Sequence, residues 1–230
     1  FLKYINDSNI KTILDFGTGE AIKLPYILKS KKKLNKLFAC DISFNRLSVG
    51  YDFLKKKLKK KDLSKILLFC NNDFELPFKN NSIDMIVTSG VFENMSNNKV
   101  SEMIFELLRV SKKRLIFIEP KRSNITKKEL SRMRKFKLNF NLNKILKKNK
   151  INFKEDAWNK EIIHENKTPY SMRIIDKKSK FFNRPNFYLK EEKCNLNSKS
   201  NFFYNKLGKI IPVLNNVTIF RPLSDLYFFK

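Results

Sequence analysis

Short apolar runs separated by polar turns organise the first half of the chain. Residues 11–16 (Lys-Thr-Ile-Leu-Asp-Phe), 37–40 (Leu-Phe-Ala-Cys), 66–70, 82–89 and 115–118 each read as a short strand, the first of them buried. Between most of them the period changes to that of a helix. In 44–61, Leu47, Tyr51, Leu54 and Leu58 recur at steps of four, three and four. Lys55, Lys56, Lys57, Lys59, Lys60 and Lys61 mostly cover the opposite face. A helix over 98–110 would bury Met103, Leu107 and Val110, and 20–30 is a further helical stretch. No helix is expected between the third and fourth strands. Strands alternating with helices predict an α/β fold with a doubly wound, mostly parallel sheet.

The pattern changes after the fifth strand, which stops at Glu119-Pro120. Residues 126–149 are helical, basic and sparsely apolar, and 151–156 and 170–176 supply two more strands, seven in all. Asn183-Arg184-Pro185-Asn186 reads as a turn or linker. The expected division is a main domain over 1–180 and a small β-rich module over 186–230.

The first strand runs into Gly17-Thr18-Gly19, where glycine permits a tight turn and close approach of a ligand. Asp41 ends the second strand, 22 residues past Gly19 (41 − 19). An acid there can accept hydrogen bonds from ribose hydroxyls. Asp15 precedes the glycines, and no third glycine follows at dinucleotide spacing. A carboxylate suits a cofactor with sulfonium and ammonium charges better than a pyrophosphate. No Gly-Lys-Ser/Thr follows, which excludes a Walker-type loop. These residues point to S-adenosylmethionine.

Over about residues 5–120 the chain resembles the class I S-adenosylmethionine-dependent methyltransferases, of the methyltransferase type 11 kind, with their Rossmann-like fold. Four blocks carry the resemblance: Thr12-Ile13-Leu14-Asp15-Phe16-Gly17-Thr18-Gly19, Cys40-Asp41-Ile42-Ser43, Asn72-Asp73-Phe74-Glu75-Leu76-Pro77-Phe78, and 82–93 ending in Ser89-Gly90-Val91-Phe92-Glu93. The resemblance implies that Asp15, Gly17, Thr18 and Gly19 border the methionine end of the cofactor. Asp41 would hold the ribose, Ile42 would pack on the adenine, Asp73 would bind its amino group, and Phe74 would line the ring. Ser89 to Glu93 would face cofactor and acceptor, with Glu93 as the candidate catalytic residue. Many relatives have Glu-His where this chain has Glu93-Asn94, so one candidate base is missing. The same residue types also serve structure: an acid can brace a loop or cap a helix. His164, the one histidine, reads as structural, and Cys40 and Cys70 as buried apolar residues.

The stretch from Cys194 to Pro222 resembles the C-terminal half of zinc-ribbon modules that accompany some methyltransferases. Where those carry cysteines, this chain has Cys194, Asn197, Tyr204 and Leu207. One cysteine is too few for structural zinc, so no metal is expected. Phe203, Ile211, Val213, Val217, Ile219 and Phe220 would hold the hairpin by apolar packing.

Composition adds a constraint on partners. The chain has 230 residues, 49 of them basic and 22 acidic, for a net charge of +27. That charge suggests a polyanion. Yet lysine outnumbers arginine more than four to one, and alanine occurs only at 21, 39 and 157. AT-biased coding accounts for much of this excess. With 42% hydrophobic residues the chain is not a disordered tail. No apolar run of membrane-spanning length is present, and Phe1-Leu2-Lys3-Tyr4 has no signal-like apolar core. The chain opens on Phe1 rather than methionine, so its natural start can lie upstream. Three dispersed cysteines suit a reducing, cytoplasmic setting. The expected activity is methyl transfer to a small molecule or glycan precursor. An RNA methyltransferase gripping phosphates with its basic helices, and a non-catalytic scaffold on the same fold, are the alternatives. The oligomeric state stays open.

Overall fold

A computed structural model of the chain describes residues 2–31, 33–71, 75–120, 127–135, 142–157, 170–177, 188–189, 194–195, 197–199, 202–204, 210–214 and 216–220. The predicted strands are present as β1 (Thr12–Phe16), β2 (Lys36–Asp41), β3 (Ile66–Cys70), β4 (Ile83–Ser89) and β5 (Ser111–Pro120). They are joined by β6 (Lys154–Ala157) and β7 (Tyr170–Asp176). These seven lie in the order β3-β2-β1-β4-β5-β7-β6, parallel except for β7, which runs antiparallel to both its neighbours.

Alternate residues of each central strand enter opposite cores. Leu14, Phe38 and Ile86 face a layer containing Met103, Leu107 and Ile145. Ile13, Leu37 and Met85 face the other, with Ile27, Leu47 and Leu54. The first layer is supplied by α5 (Asn97–Val110) and α7 (Leu142–Lys148). The second is supplied by α1 (Leu2–Ile5), α2 (Leu24–Ser30) and α3 (Phe44–Lys57). Burial on both faces is why the strands read as continuous apolar runs rather than alternating ones. Each such aliphatic side chain contributes about 1.5–3 kcal/mol relative to exposure.

Two helices differ from the sequence expectation. The stretch 20–30 becomes helical only at Leu24, because Ala21 adopts φ +57° and Pro25 falls in the first turn. The helix expected over 44–61 breaks at Leu58, whose extended ψ of 146° separates α3 from the short α4 (Lys60–Leu63). Six lysines within 55–61 repel one another there, and Leu54 is the last fully buried side chain of the face. The basic stretch 126–149 contains α6 (Lys127–Lys135) and α7. No helix lies between β3 and β4 among the described residues.

The sheet is wider than the seven strands expected. After the two-stranded pair β8 (Tyr188–Leu189) and β9 (Cys194–Asn195), the chain forms β10 (Asn197–Lys199), β11 (Phe202–Tyr204), β12 (Ile210–Leu214) and β13 (Val217–Ile219). These four extend the sheet in the order β10-β11-β12-β13-β3, making eleven strands among the described residues. The addition follows from β3 itself, whose Leu68, Phe69 and Cys70 are buried and whose outer backbone row needs partners. The outermost strands, β10 (Asn-Ser-Lys) and β6 (Lys-Glu-Asp-Ala), are short and polar, which blunts both edges against further pairing.

Candidate active site

The carboxyl ends of β1, β2 and β4 converge on a cleft of about 840 Å3, lined in part by Gly17, Asp41, Ile42, Asn71, Gly90 and Val91. A doubly wound sheet places its ligands at this end. The peptide after β1 turns back on β2: Gly17 and Thr18 N–H groups both donate to Cys40 O, at 2.9 and 2.8 Å. Gly17 has φ +73°, and a Cβ there would collide with Val91, so the turn requires glycine. Gly50 does related work in α3, where a Cβ would stand 2.9 Å from the Glu20 backbone.

Asp41 is the hinge of the cleft. Its Oδ2 accepts from Gly19 N at 2.8 Å and its Oδ1 from Ser43 N at 3.0 Å. Ser43 caps α3, its Oγ accepting from Arg46 N at 3.3 Å. One carboxylate thus ties the glycine loop to the helix entry, and its remaining lone pairs stay available to hydroxyl donors. Ile42 beside it is 50% exposed, an apolar surface at the cleft wall. Arg46 lies against Gly19 and within 3.5 Å of Glu20.

Asp15 is fully buried beneath the loop. Its Oδ2 accepts from Thr18 Oγ1 at 2.7 Å, and Lys23 Nζ lies 3.0 Å from its Oδ1. Oδ1 has no partner in hydrogen-bond geometry, so the lysine acts there as a nearby charge. Asp15 and Thr18 therefore shape the loop from below, whereas Gly17, Asp41 and Ile42 line the cleft. Cys40 is buried, and burial pushes its thiol well above the ordinary range. Asp73, Phe74 and His164 lie outside the described residues.

The loop after β4 is held by a residue that the motifs did not single out. Glu119, at the end of β5, is 2% exposed. Its Oε1 accepts from Val91 N at 3.0 Å and Thr88 Oγ1 at 3.1 Å, and its Oε2 from Glu93 N at 3.4 Å. Burial pushes its pKa up to about 7, against the pull of these donors and with a smaller upward push from Glu93. In the sequence Glu119-Pro120 reads only as a strand stop; its position level with the loop after β4 emerges from the β4–β5 register, Ser89 opposite Ile118. Glu93 is half-buried, and Tyr170 donates its hydroxyl to Glu93 Oε1 at 3.0 Å. Tyr170 comes from β7, 77 residues away, a partner that no local pattern reveals. Ser89 ends β4 beside this loop. Arg173 braces the same corner, donating to the Glu119 and Ser171 carbonyls at 2.7 and 3.1 Å and to Asn143 Oδ1 at 2.7 Å.

The segment before β4 is anchored to α5. Arg109 donates to Phe78 O at 2.7 Å and Leu76 O at 3.1 Å, while Glu106 Oε1 accepts from Leu76 N at 2.6 Å. Among the described residues no group of three or more acidic, cysteine or histidine side chains is arranged to hold a metal, and no helix is long and apolar enough to cross a membrane.

Sheet order, glycine turn and acid at the end of β2 define a Rossmann-like methyltransferase fold. The family described as "Methyltransferase domain" matches residues 14–118. Solved structures share the fold. An S-adenosylmethionine-dependent methyltransferase from Aquifex aeolicus is 20% identical, with 76% of this chain and 86% of that one covered at a TM-score of 0.58. The methyltransferase domain of bacterial CtHen1-CN is 20% identical, with coverage of 76% and 95% and a TM-score of 0.60. Geranyl diphosphate C-methyltransferase from Streptomyces coelicolor, solved with S-adenosyl-L-homocysteine, is 10% identical, with coverage of 76% and 78% and a TM-score of 0.55. No curated protein matches the chain in sequence. Residues 14–118 thus resemble a methyltransferase domain, and the fold is one shared with S-adenosylmethionine-dependent methyltransferases.

Proposed function

We propose that the chain is an S-adenosylmethionine-dependent methyltransferase acting on a small molecule or glycan precursor, with the cofactor held along the β1–β2 side of the cleft and the acceptor along the β4–α5 side. The carrying observation is the division of the cleft itself. The β1–β2 end contributes Gly17, Asp41 and Ile42 to the lining, and the loop after β4 with α5 contributes Gly90, Val91, Asn94, Met95, Lys99 and Met103. None of the lysines between 55 and 61 lines it, which favours a compact acceptor over a long polyanion.

The cofactor fits the residues present. Asp41 would accept from the ribose hydroxyls, Ile42 would cover the adenine with Asp73 and Phe74, and the turn at Gly17-Thr18-Gly19 above Asp15 would border the methionine end. Bound S-adenosylmethionine supplies an electrophilic methyl group carried on a sulfonium. The chain's own contribution is orientation in line with that bond and exclusion of water, an effect that can reach roughly 7–11 kcal/mol. Glu93, next to the cleft-lining Asn94 and accepting from the Tyr170 hydroxyl, would take a proton from an acceptor hydroxyl or ammonium. An amine that is already neutral needs no base. The C-terminal strands are read as a degenerate ribbon held by apolar packing.

Isothermal calorimetry with S-adenosylmethionine tests the reading. Wild type should bind, and Asp41→Ala should weaken binding about 100-fold, roughly the loss of charge-assisted hydrogen bonds to two hydroxyls. No binding by wild type, or full affinity in Asp41→Ala, would overturn it.

A further inference from the structure

The outer edge of β3 is occupied by a strand from the far end of the same chain. Val217, Thr218 and Ile219 pair in parallel with Leu68, Phe69 and Cys70. Val217 and Ile219 are almost wholly buried, in the same core as Leu47, Leu54 and Leu68. The pairing ends in a clamp: Phe220 N donates to Cys70 O at 3.1 Å. The Phe220 ring meets Phe69 edge-on at 5.8 Å, and Phe69 meets Phe78 at 5.6 Å.

That clamp lies one residue from the cleft. Asn71, the next residue, donates its N–H to Asp41 O at 3.2 Å and lines the cleft. Cys70 Sγ donates to Ile42 O at 3.3 Å. The end of β3 therefore holds the backbone of both residues that would receive the adenosine. Without β13 the outer backbone groups of β3 would have no strand partner, and its carboxyl end would lose the hydrogen bond and aromatic contact that fix it.

We propose that the β12–β13 hairpin is a built-in activating segment: its docking on β3 orders Asp41 and Ile42 and thereby raises affinity for the cofactor. The adenosine part of this inference rests on the function proposed above; the ordering of the cleft wall by the hairpin does not. Strand addition supplies affinity through main-chain pairing and specificity through side-chain pockets, here with the added strand tethered to its acceptor. Binding linkage makes the effect reciprocal, so cofactor should tighten hairpin docking by the same factor.

The test uses the full-length chain with Phe220→Ala and Ile219→Asp, reading amide hydrogen exchange and calorimetry with S-adenosylmethionine. Phe220→Ala should speed exchange at 66–70 and at Ser43, leave β4 amides protected, and weaken cofactor binding about fivefold. Ile219→Asp, which places a carboxylate in the buried layer, should weaken it at least tenfold. A synthetic peptide of residues 208–221 should restore part of the affinity of Ile219→Asp. If Ile219→Asp does not fold, Phe220→Ala carries the same two readouts. Faster exchange at 66–70 with unchanged exchange at Ser43 and unchanged affinity would reduce the hairpin to an edge cover and overturn the proposal. Should wild type bind no S-adenosylmethionine, the functional reading fails, and exchange at Ser43 still decides whether the hairpin orders the cleft wall.

Discussion

Asp84 and Glu119 sit at opposite ends of the β4–β5 pair, Asp84 at the amino end and Glu119 at the carboxyl end facing the cleft. Both are nearly inaccessible, at 6% and 2% exposure, and burial pushes both pKa values up. Their surroundings then part. Asp84 Oδ2 accepts from Lys11 N at 2.9 Å, Thr12 N at 3.0 Å and Thr12 Oγ1 at 3.2 Å. Lys113 and Lys112 stand 3.4 and 3.5 Å from its Oδ1, and together these groups bring its pKa below the usual carboxylate range. Glu119 also receives hydrogen bonds, but Arg173 reaches its main-chain carbonyl rather than its carboxylate. Desolvation raises both and weighs more on Glu119; at Asp84 the Lys11 N–H and then the Lys113 and Lys112 charges outweigh it. The amino end of the sheet is thus built for a fixed charge, whereas the cleft end keeps a carboxyl that titrates near neutrality.

Removing the fixed charge should have the largest effect. Asp84→Ala leaves two N–H groups and the Thr12 hydroxyl without their acceptor, beside two lysines. It should lose about 3 kcal/mol of stability by urea denaturation at pH 7. S-adenosylmethionine affinity of the folded fraction should be unchanged, since no contact of Asp84 reaches the cleft. A loss of affinity comparable to that of Asp41→Ala would break the division between the two ends. Because the folded pKa of Asp84 is depressed, its contribution is present above 3.8 and is lost as pH falls below that value.

The cleft end should show the opposite sign. The folded pKa of Glu119, about 7, lies above its ordinary 4.5, so the folded state binds the proton more tightly. Its contribution is complete below pH 4.5 and is lost as pH rises to about 7, a decline of up to about 3 kcal/mol at 1.36 kcal/mol per pKa unit. Glu119→Gln, which keeps the carbonyl acceptor for Val91 and Thr88, should flatten stability between pH 5 and 8 while wild type declines. Equal slopes in the two proteins would show that another group titrates in this window.

The same contrast explains what the sequence made legible. Strand positions, the glycine turn and Asp41 were readable because each rests on local grammar: apolar runs buried on both faces, glycine at a tight turn, an acid at a strand end. The doubly wound, mostly parallel character of the sheet followed from that grammar, whereas the order of its strands came from the structure. The four added strands were not readable as part of the sheet. Nothing local to Val217-Thr218-Ile219 says that its partner is Leu68-Phe69-Cys70 nearly 150 residues earlier. Glu119 and Tyr170 escaped notice for the same reason, since their partners lie on other strands. The break at Leu58 was hidden by a helical period that continues through it, although the lysine run supplied the physical reason.

The smallest expected effect tests whether the cations at the amino end act as a pair. Lys113 Nζ lies 3.4 Å from Asp84 Oδ1 and also donates to Asn9 O, and its side chain is about one-third exposed. Lys112 stands at a similar distance and would remain in Lys113→Gln. Partial exposure screens each ammonium, and the two backbone donors to Asp84 are untouched. Lys113→Gln should therefore lose about 0.5 kcal/mol or less at pH 7 by urea denaturation. Its acid-unfolding midpoint should move upward, because the folded pKa of Asp84 rises toward the ordinary value. A midpoint that does not move would assign the depressed pKa to Lys112 and the Lys11 and Thr12 N–H groups, taking Lys113 out of the contrast between Asp84 and Glu119.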